Sequence, residues 1–297
     1  MSRPEPRPRL ALISPVRDEA GTFGCTLASV LAQQRRPQRW VLVDDGSAAP
    51  TRRLLERAAA EHDFVSLVRL ADRGRRQPGP GVVRAIEAGL QRLDDFDWDF
   101  LGKLDGDVQL PPEYYARVLA AFAAEPELGI AAGACLTPAG GGWRREANAP
   151  FHTRGPCKVW RRACFEAIGG LEPVLGWDGL DGYRARQRGF RTRTLDGLEV
   201  LHFRPTHAWE GRWRGGLRSG RGAYNQHFRP AYLLARAAVH LLRPPYLVGG
   251  LGIAAGYFGA WLRRSPRPAD AELVAFIHRE QGARLRRLLS GRGDLRS

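Results

Sequence analysis

Along its first hundred residues the chain alternates short apolar runs with longer stretches in which apolar positions recur every three or four residues. The first pattern predicts strands buried on both faces, and the second predicts amphipathic helices laid over them. Leu10 to Ser14 reads as a strand, Thr22 to Gln34 as a helix and Trp40 to Asp44 as a second strand. Helix is expected from Pro50 to about His62, strand from Val65 to Leu70, helix from Val82 to Leu93 and strand from Phe100 to Leu104. Between them, Asp72 to Gly81 is rich in arginine, glycine and proline and reads as a loop. This alternation predicts an α/β fold with a Rossmann-like, mostly parallel sheet flanked by helices.

Beyond Arg154 the pattern loosens. Helices are expected at Arg161 to Ile168 and Asp178 to Arg188, with a strand pair at Arg191 to Leu195 and Glu199 to Phe203. The stretches Ala139 to Thr153 and Pro205 to Tyr224, rich in glycine and tryptophan, read as loops, with Trp143, Trp209 and Trp213 free to stack on a ligand or to fill core. Composition shifts near residue 206. Tyr224 to Leu262 becomes mostly apolar and helical, and Ala269 to Leu289 reads as an amphipathic helix with a basic face. The expected division is a catalytic domain over 1–205 and a helical C-terminal region over 206–297.

Composition narrows the function classes only partly. With 297 residues and 43% hydrophobic content, the chain can bury one large core or two modest ones. Its net charge of +15 suits nucleic acid, an anionic membrane surface or a polyphosphate substrate, and equally suits a solvated, compositionally biased surface. Nearly all the positive charge is arginine, Lys103 and Lys158 being the only lysines. Guanidinium forks grip phosphate oxygens bidentately. Cys25, Cys135, Cys157 and Cys164 are too scattered for a disulfide scaffold or a zinc site. The opening MSRPEPRPRL has no apolar run, so no signal peptide is expected and catalysis is assigned to the cytoplasm, at the inner face of the membrane.

Two acidic clusters, Asp44-Asp45 and Asp105-Gly106-Asp107, stand at the carboxyl ends of predicted strands, where open parallel sheets collect their ligands. Facing one crevice, they repel unless a cation or a network of donors compensates. Asp105 and Asp107 share a short turn before Pro111-Pro112, and hard carboxylate oxygens of this kind suit magnesium or manganese, with diphosphate and water completing the shell. Asp and Gly also favour ordinary turns for backbone reasons, so the motif needs its context.

That context resembles the nucleotide-sugar glycosyltransferases of family two, which have the GT-A fold, over about residues 9–204. The resemblance rests on Ile13-Ser14-Pro15-Val16-Arg17-Asp18-Glu19, on Trp40 to Ser47 with its Asp44-Asp45-Gly46-Ser47 turn, and on Lys103-Leu104-Asp105-Gly106-Asp107. It continues through Arg161-Arg162, Gly169-Gly170-Leu171, Gly176-Trp177-Asp178-Gly179-Leu180-Asp181 and Gly189-Phe190-Arg191. It implies that Pro15, Arg17, Glu19, Asp44 and Asp45 contact the nucleoside of a nucleoside-diphosphate sugar donor, carboxylates accepting from base or ribose. It also implies that Asp107 ligates the divalent cation, with Asp105 nearer the ribose or a metal-bound water. His202 corresponds to a further metal ligand, its alternative being a structural histidine on a strand.

For an inverting transfer the family supplies a base from an acidic pair at the start of the acceptor helix. Here Trp177 stands where the first acid is common, so Asp178 is taken as base and Asp181 as its orienter or a sugar-hydroxyl acceptor. Helix capping by Asp178 and dipole stabilisation by Asp181 are the structural alternatives. Arg73, Arg75, Arg76 and Arg84 lie in or beside the loop that faces the nucleotide in the resembling proteins, and Arg84 is placed with the donor-binding residues.

Pro244 to Leu262 carries no charge over 19 residues and is followed by Arg263-Arg264. That length barely reaches a membrane span, and arginines flank both ends, which disfavours translocating either side. Peripheral contact of amphipathic or re-entrant helices with an anionic membrane is the expectation, against a single span or a packed helical subdomain. The acceptor is expected to be a glycan or a lipid-linked molecule, in synthesis of a cell-surface polysaccharide or glycolipid. A nucleotidyltransferase is the alternative enzyme, but Ser14 to Gly24 lacks a convincing phosphate loop. A nucleic-acid partner is not expected, because the acidic clusters oppose phosphate binding without metal.

Overall fold

A computed structural model describes residues 7–146, 148–204, 211–241 and 247–290. Its first elements follow the predicted alternation: β1 (Leu10–Val16), α1 (Phe23–Leu31), β2 (Arg39–Asp44), α2 (Ala49–Glu61), β3 (Val65–Arg69), α3 (Pro80–Gln91) and β4 (Phe100–Lys103). These strands pair in parallel in the order β3-β2-β1-β4. Successive residues in β1 and β2 serve opposite cores. Leu10, Leu12, Trp40 and Leu42 join α1, α2 and the tyrosines Tyr114 and Tyr115, whereas Ala11, Ile13, Val41 and Val43 join α3 and Trp160. Burial on both faces is why these strands read as continuous apolar runs.

The sheet then continues through elements that the apolar pattern did not separate: β5 (Val108–Gln109), α4 (Tyr114–Ala124), β6 (Leu128–Ala139), β7 (Gly142–Arg145) and β8 (Val159–Arg161). After α5 (Arg162–Ala167) and α6 (Trp177–Gln187) the chain enters β9 (Arg191–His202). Among the described residues the strands form one nine-stranded sheet, ordered β3-β2-β1-β4-β8-β6-β9-β5, with β7 paired to β6. Two expectations are corrected here. The supposed strand pair is the single strand β9, whose two halves both pair in parallel with β6 across a bulge that skips from Leu195 to Glu199. The stretch from Ala139 to Thr153 contains β7 and is not loop throughout.

Among the described residues four helices follow: α7 (Gly211–Asn225), α8 (Pro230–Leu241), α9 (Val248–Leu262) and α10 (Ala271–Leu289). They bury Tyr224, Phe228, Leu233, Ile253, Tyr257 and Ile277 against Leu180 and Tyr183 of α6. An ion pair from Arg186 to Glu280, at 2.8 Å, also ties α10 to α6. The expected loop from Pro205 to Tyr224 is therefore helical from Gly211 on. Its glycines serve close approach: a Cβ on Gly220 would lie 2.1 Å from the Ile253 carbonyl oxygen of α9. Trp209, the boundary at 205/206 and the prolines opening the 244–262 run lie outside the described residues. Among those described, no helix is long and apolar enough to cross a membrane.

Candidate active site

The Asp105-Gly106-Asp107 turn leaves the end of β4 and is held from two sides. On one, the Asp105 amide donates to the Pro156 carbonyl at 2.9 Å, and Lys103 donates its amide to the Lys158 carbonyl at 2.8 Å. On the other, the two-residue β5 pairs with the end of β9, setting Val108 opposite His202, and the Phe203 amide donates to the Asp107 carbonyl at 3.0 Å. The short antiparallel zipper is what carries His202 to the turn. One ligand atom each from Asp105, Asp107 and His202 lies within 4.8 Å of the others, and His202 Nε2 stands 3.6 Å from Asp107 Oδ1.

The electrostatics of this group call for a cation. Burial pushes the Asp105 carboxyl up, and the neighbouring Asp107 adds to the shift while Lys103 opposes it. Burial works against protonating His202, yet the carboxylates of Asp107 and Asp105 outweigh it and hold the imidazole above its ordinary value. Among the described residues nothing satisfies the buried Nδ1 of His202. Two hard carboxylates and an imidazole with an unpartnered nitrogen form a donor set that fits manganese or magnesium.

The residues expected to face the donor gather at the ends of β1 and β2. Pro15 pairs with Val43 and Val16 with Asp44. Asp18 takes a left-handed conformation, φ 55°, which a short polar side chain tolerates, and its carboxylate accepts from the Ala48 amide at 2.8 Å. Asp44 Oδ1 accepts from the Ser47 amide at 2.7 Å, so the turn is capped as its sequence suggests. Asp45 keeps its carboxylate for Arg73 Nη2, at 2.7 Å to Oδ2. Arg17 donates to the Asp45 carbonyl at 2.5 Å and to Asp72 Oδ1 at 2.7 Å. Glu19, buried, accepts from Arg76 at 2.9 Å and also pairs with Arg204, whose Nε reaches Asp107 Oδ2 at 3.1 Å. Arg84 does not join this network: it is exposed on α3 and bonds to Gln77. Among the described residues, Arg73, Arg76 and Arg204 are the guanidinium groups brought to the carboxylates of Asp45, Glu19 and Asp107.

Asp178 and Asp181, the acids expected at the acceptor helix, differ in their bonding. Gly176, at φ 85°, opens α6 in a left-handed turn where a Cβ would meet the Gln226 side chain at 2.4 Å. Asp178 follows in the first turn, and its Oδ2 would lie 3.2 Å from a Cβ on Gly155. Through Gly155 and Pro156 it therefore adjoins the segment that holds Asp105. Burial opposes its ionisation, but Lys158, His152, Arg154 and Lys103 outweigh it and lower its pKa. No hydrogen bond joins its carboxylate to another described residue. Asp181, by contrast, is buried and spent: its oxygens accept from Lys158 Nζ at 2.8 Å each, from Trp160 Nε1 at 3.0 Å and from the Gly182 amide.

Sequence reasoning passed over Lys103, Lys158 and Arg204 as site residues. The signal for the first two was present, since a chain that uses arginine almost everywhere places its only two lysines here.

The fold agrees with that of similar solved structures. Residues 11–173 match the family model of glycosyl transferase family 2, and the chain belongs to that family. Its fold is GT-A. Over 127 residues it is 34% identical to the O-antigen biosynthesis protein RfbC of Myxococcus xanthus, a match covering 42% of this chain and 9% of that protein. The chain thus spans less than a tenth of that relative. A mannosyltransferase from Pyrobaculum calidifontis, solved with GDP-Man and Mn2+, superposes on 98% of this chain and 85% of its own. Its TM-score is 0.58 at 17% identity. GalNAc-T7, solved with UDP, GalNAc and Mn2+, gives a TM-score of 0.59 at 16% identity over 88% of this chain and 57% of its own. At such identities these structures bear on the fold.

Proposed function

We propose that the chain is an inverting transferase that moves a sugar from a nucleoside-diphosphate donor to a hydroxyl of a glycan or lipid-linked acceptor in cell-surface polysaccharide or glycolipid synthesis. The observation that carries this reading is the pairing of an ionised, uncommitted carboxylate, Asp178, with the Asp105, Asp107 and His202 group across the Gly155–Cys157 segment. Asp178 takes the acceptor hydroxyl proton as the acceptor oxygen bonds to the anomeric carbon, and the carbon–oxygen bond to the diphosphate breaks with its electron pair leaving on the diphosphate. Asp107, His202 and Asp105 hold a manganese or magnesium ion, which when bound stabilises charge on the leaving diphosphate. Arg73 and Arg76, now paired with Asp45 and Glu19, can turn to the phosphates once ribose and base engage those carboxylates. Asp44, Arg17 and Pro15 shape the nucleoside end.

Residues 1–205 carry this chemistry in the proposal, and 206–297 meet an anionic membrane peripherally. Trp213 on α7 and Leu247, Val248 and Leu251 at the start of α9 are exposed apolar side chains, and Gly252 packs on the Trp213 backbone, which sets the two groups side by side. Co-sedimentation with anionic but not zwitterionic vesicles tests that contact. The transfer itself is tested by the anomeric configuration of the product against that of the donor. Retention of configuration, or full turnover by Asp178→Asn, contradicts the reading.

A further inference from the structure

The chain's two lysines both stand over one aromatic ring. Lys103, at the end of β4, donates to Asp105 Oδ1 at 2.5 Å, and its ammonium sits 5.7 Å from the centroid of the Trp177 ring. Lys158, just before β8, sits 5.5 Å from the same centroid and 5.7 Å from that of Trp160. It is wholly buried, is gripped by both oxygens of Asp181, and donates to the Asp178 carbonyl at 2.7 Å. A buried ion pair of this kind is weak evidence for stability, because desolvating two charges offsets their attraction. Its hydrogen bonds reach the backbone of the residue that carries the proton-accepting carboxylate.

We propose that Lys158 is a positioning residue of the transfer: anchored by Asp181, it fixes the first turn of α6 at Asp178, and through Trp177 and Lys103 it registers that turn against the Asp105 turn. The inference rests on Asp178 being the base. Trp177 suits the role because an aromatic face attracts both ammonium groups without neutralising either, so their charge still acts on Asp178. An acid in its place would form a salt bridge and screen them. The charged and titratable groups acting on Asp178 are Lys158, Lys103, Arg154, His152 and Asp181. Of these Lys158 is the leading cation, with burial the opposing influence.

The experiment compares wild type, Lys158→Arg, and the double variant Lys158→Met/Asp181→Leu, which removes the pair without leaving a buried charge unmatched and so keeps a fold to assay. Steady-state kcat and donor KM are read from pH 5 to 9, with unfolding temperature as a control. The double variant is expected to lose kcat by about a hundredfold, in the range attributed to a misplaced general base. Its donor KM should stay within about threefold, and its acid limb should move to higher pH, because Lys158 acts on the Asp178 carboxylate more strongly than the Asp181 anion lost with it. Lys158→Arg should restore the acid limb but not the full kcat, since the planar fork cannot reproduce the three bonds of the ammonium. A double variant with wild-type kcat and acid limb overturns the proposal, as does a kcat loss with an unmoved acid limb, which marks a merely structural pair. Asp178→Asn, run in parallel, separates the two readings: if it retains turnover the base assignment fails, and if it is inactive while the lysine variants behave as wild type only the positioning role fails.

Discussion

The C-terminal helices give a sharp test of packing, because two glycines on the same helix are expected to respond oppositely to one methyl group. A Cβ on Gly256 of α9 would stand 2.1 Å from the Leu217 carbonyl oxygen of α7 and 2.8 Å from its Cα. A carbon–oxygen contact tolerates about 3.3 Å, so Gly256→Ala forces the helices apart by roughly 1 Å. Overpacking of this order costs about 1 to 3 kcal/mol. Replacing a mid-helix glycine by alanine returns only about 0.5 to 1 kcal/mol. The clash wins, and Gly256→Ala should destabilise by about 1 to 2 kcal/mol.

Gly259, one turn on, offers the control: a Cβ there meets nothing closer than the Arg263 guanidinium tip at 3.5 Å, so Gly259→Ala should gain about 0.5 to 1 kcal/mol. Thermal unfolding reads the difference, at about 2 to 4 °C per kcal/mol for a chain of this size. Equal shifts for the two variants, or a gain at Gly256, would refute the close crossing of α7 and α9.

Other expectations follow from the same structure. Asp181→Ala strands the buried Lys158 ammonium and the Trp160 N–H, and should cost about 3 to 5 kcal/mol in chemical denaturation, where a loss below about 1 kcal/mol would deny the pair its burial. His152 is pushed by burial from 6.5 to about 3, so it stays neutral in the folded chain while the unfolded chain takes up a proton below 6.5. Stability should therefore fall as pH drops from about 6.5 towards 3, and His152→Gln should remove that share; an unchanged slope in the variant contradicts the assignment. Trp143, exposed on β7 with its ring edge on Phe203 beside His202, should raise acceptor KM several-fold when changed to Ala while donor KM holds; the reverse pattern would move it to the donor side.

The sequence was most legible where one physical demand acted alone. Strands β1, β2 and β4 are buried on both faces, so apolar runs marked them, and the acidic turn after β4 marked two members of the Asp105, Asp107 and His202 group. Legibility failed where two demands met in one residue. The glycines of α7 suggested loop, yet they are there to let backbones touch, as at Gly216, whose Cβ would lie 3.0 Å from the Gly252 Cα. The gap in the β9 pattern, Asp196 to Leu198, looked like a hairpin turn and is a bulge in one parallel strand. Asp178 and Asp181 have the same side chain and nearly the same address. Lys158 and Trp160, both from a distant segment, join the Gly182 amide on the Asp181 carboxylate, whereas no described residue hydrogen-bonds the carboxylate of Asp178.

The most direct test of the account is binding of Mn2+ and a nucleoside diphosphate, measured calorimetrically on wild type, Asp107→Asn and His202→Ala. The account predicts that diphosphate binding by the wild-type protein depends on the metal, and that each variant weakens the metal-dependent part by tenfold or more while leaving the unfolding temperature without metal close to that of wild type. Equal diphosphate affinity with and without Mn2+, or unaltered metal dependence in both variants, would contradict it.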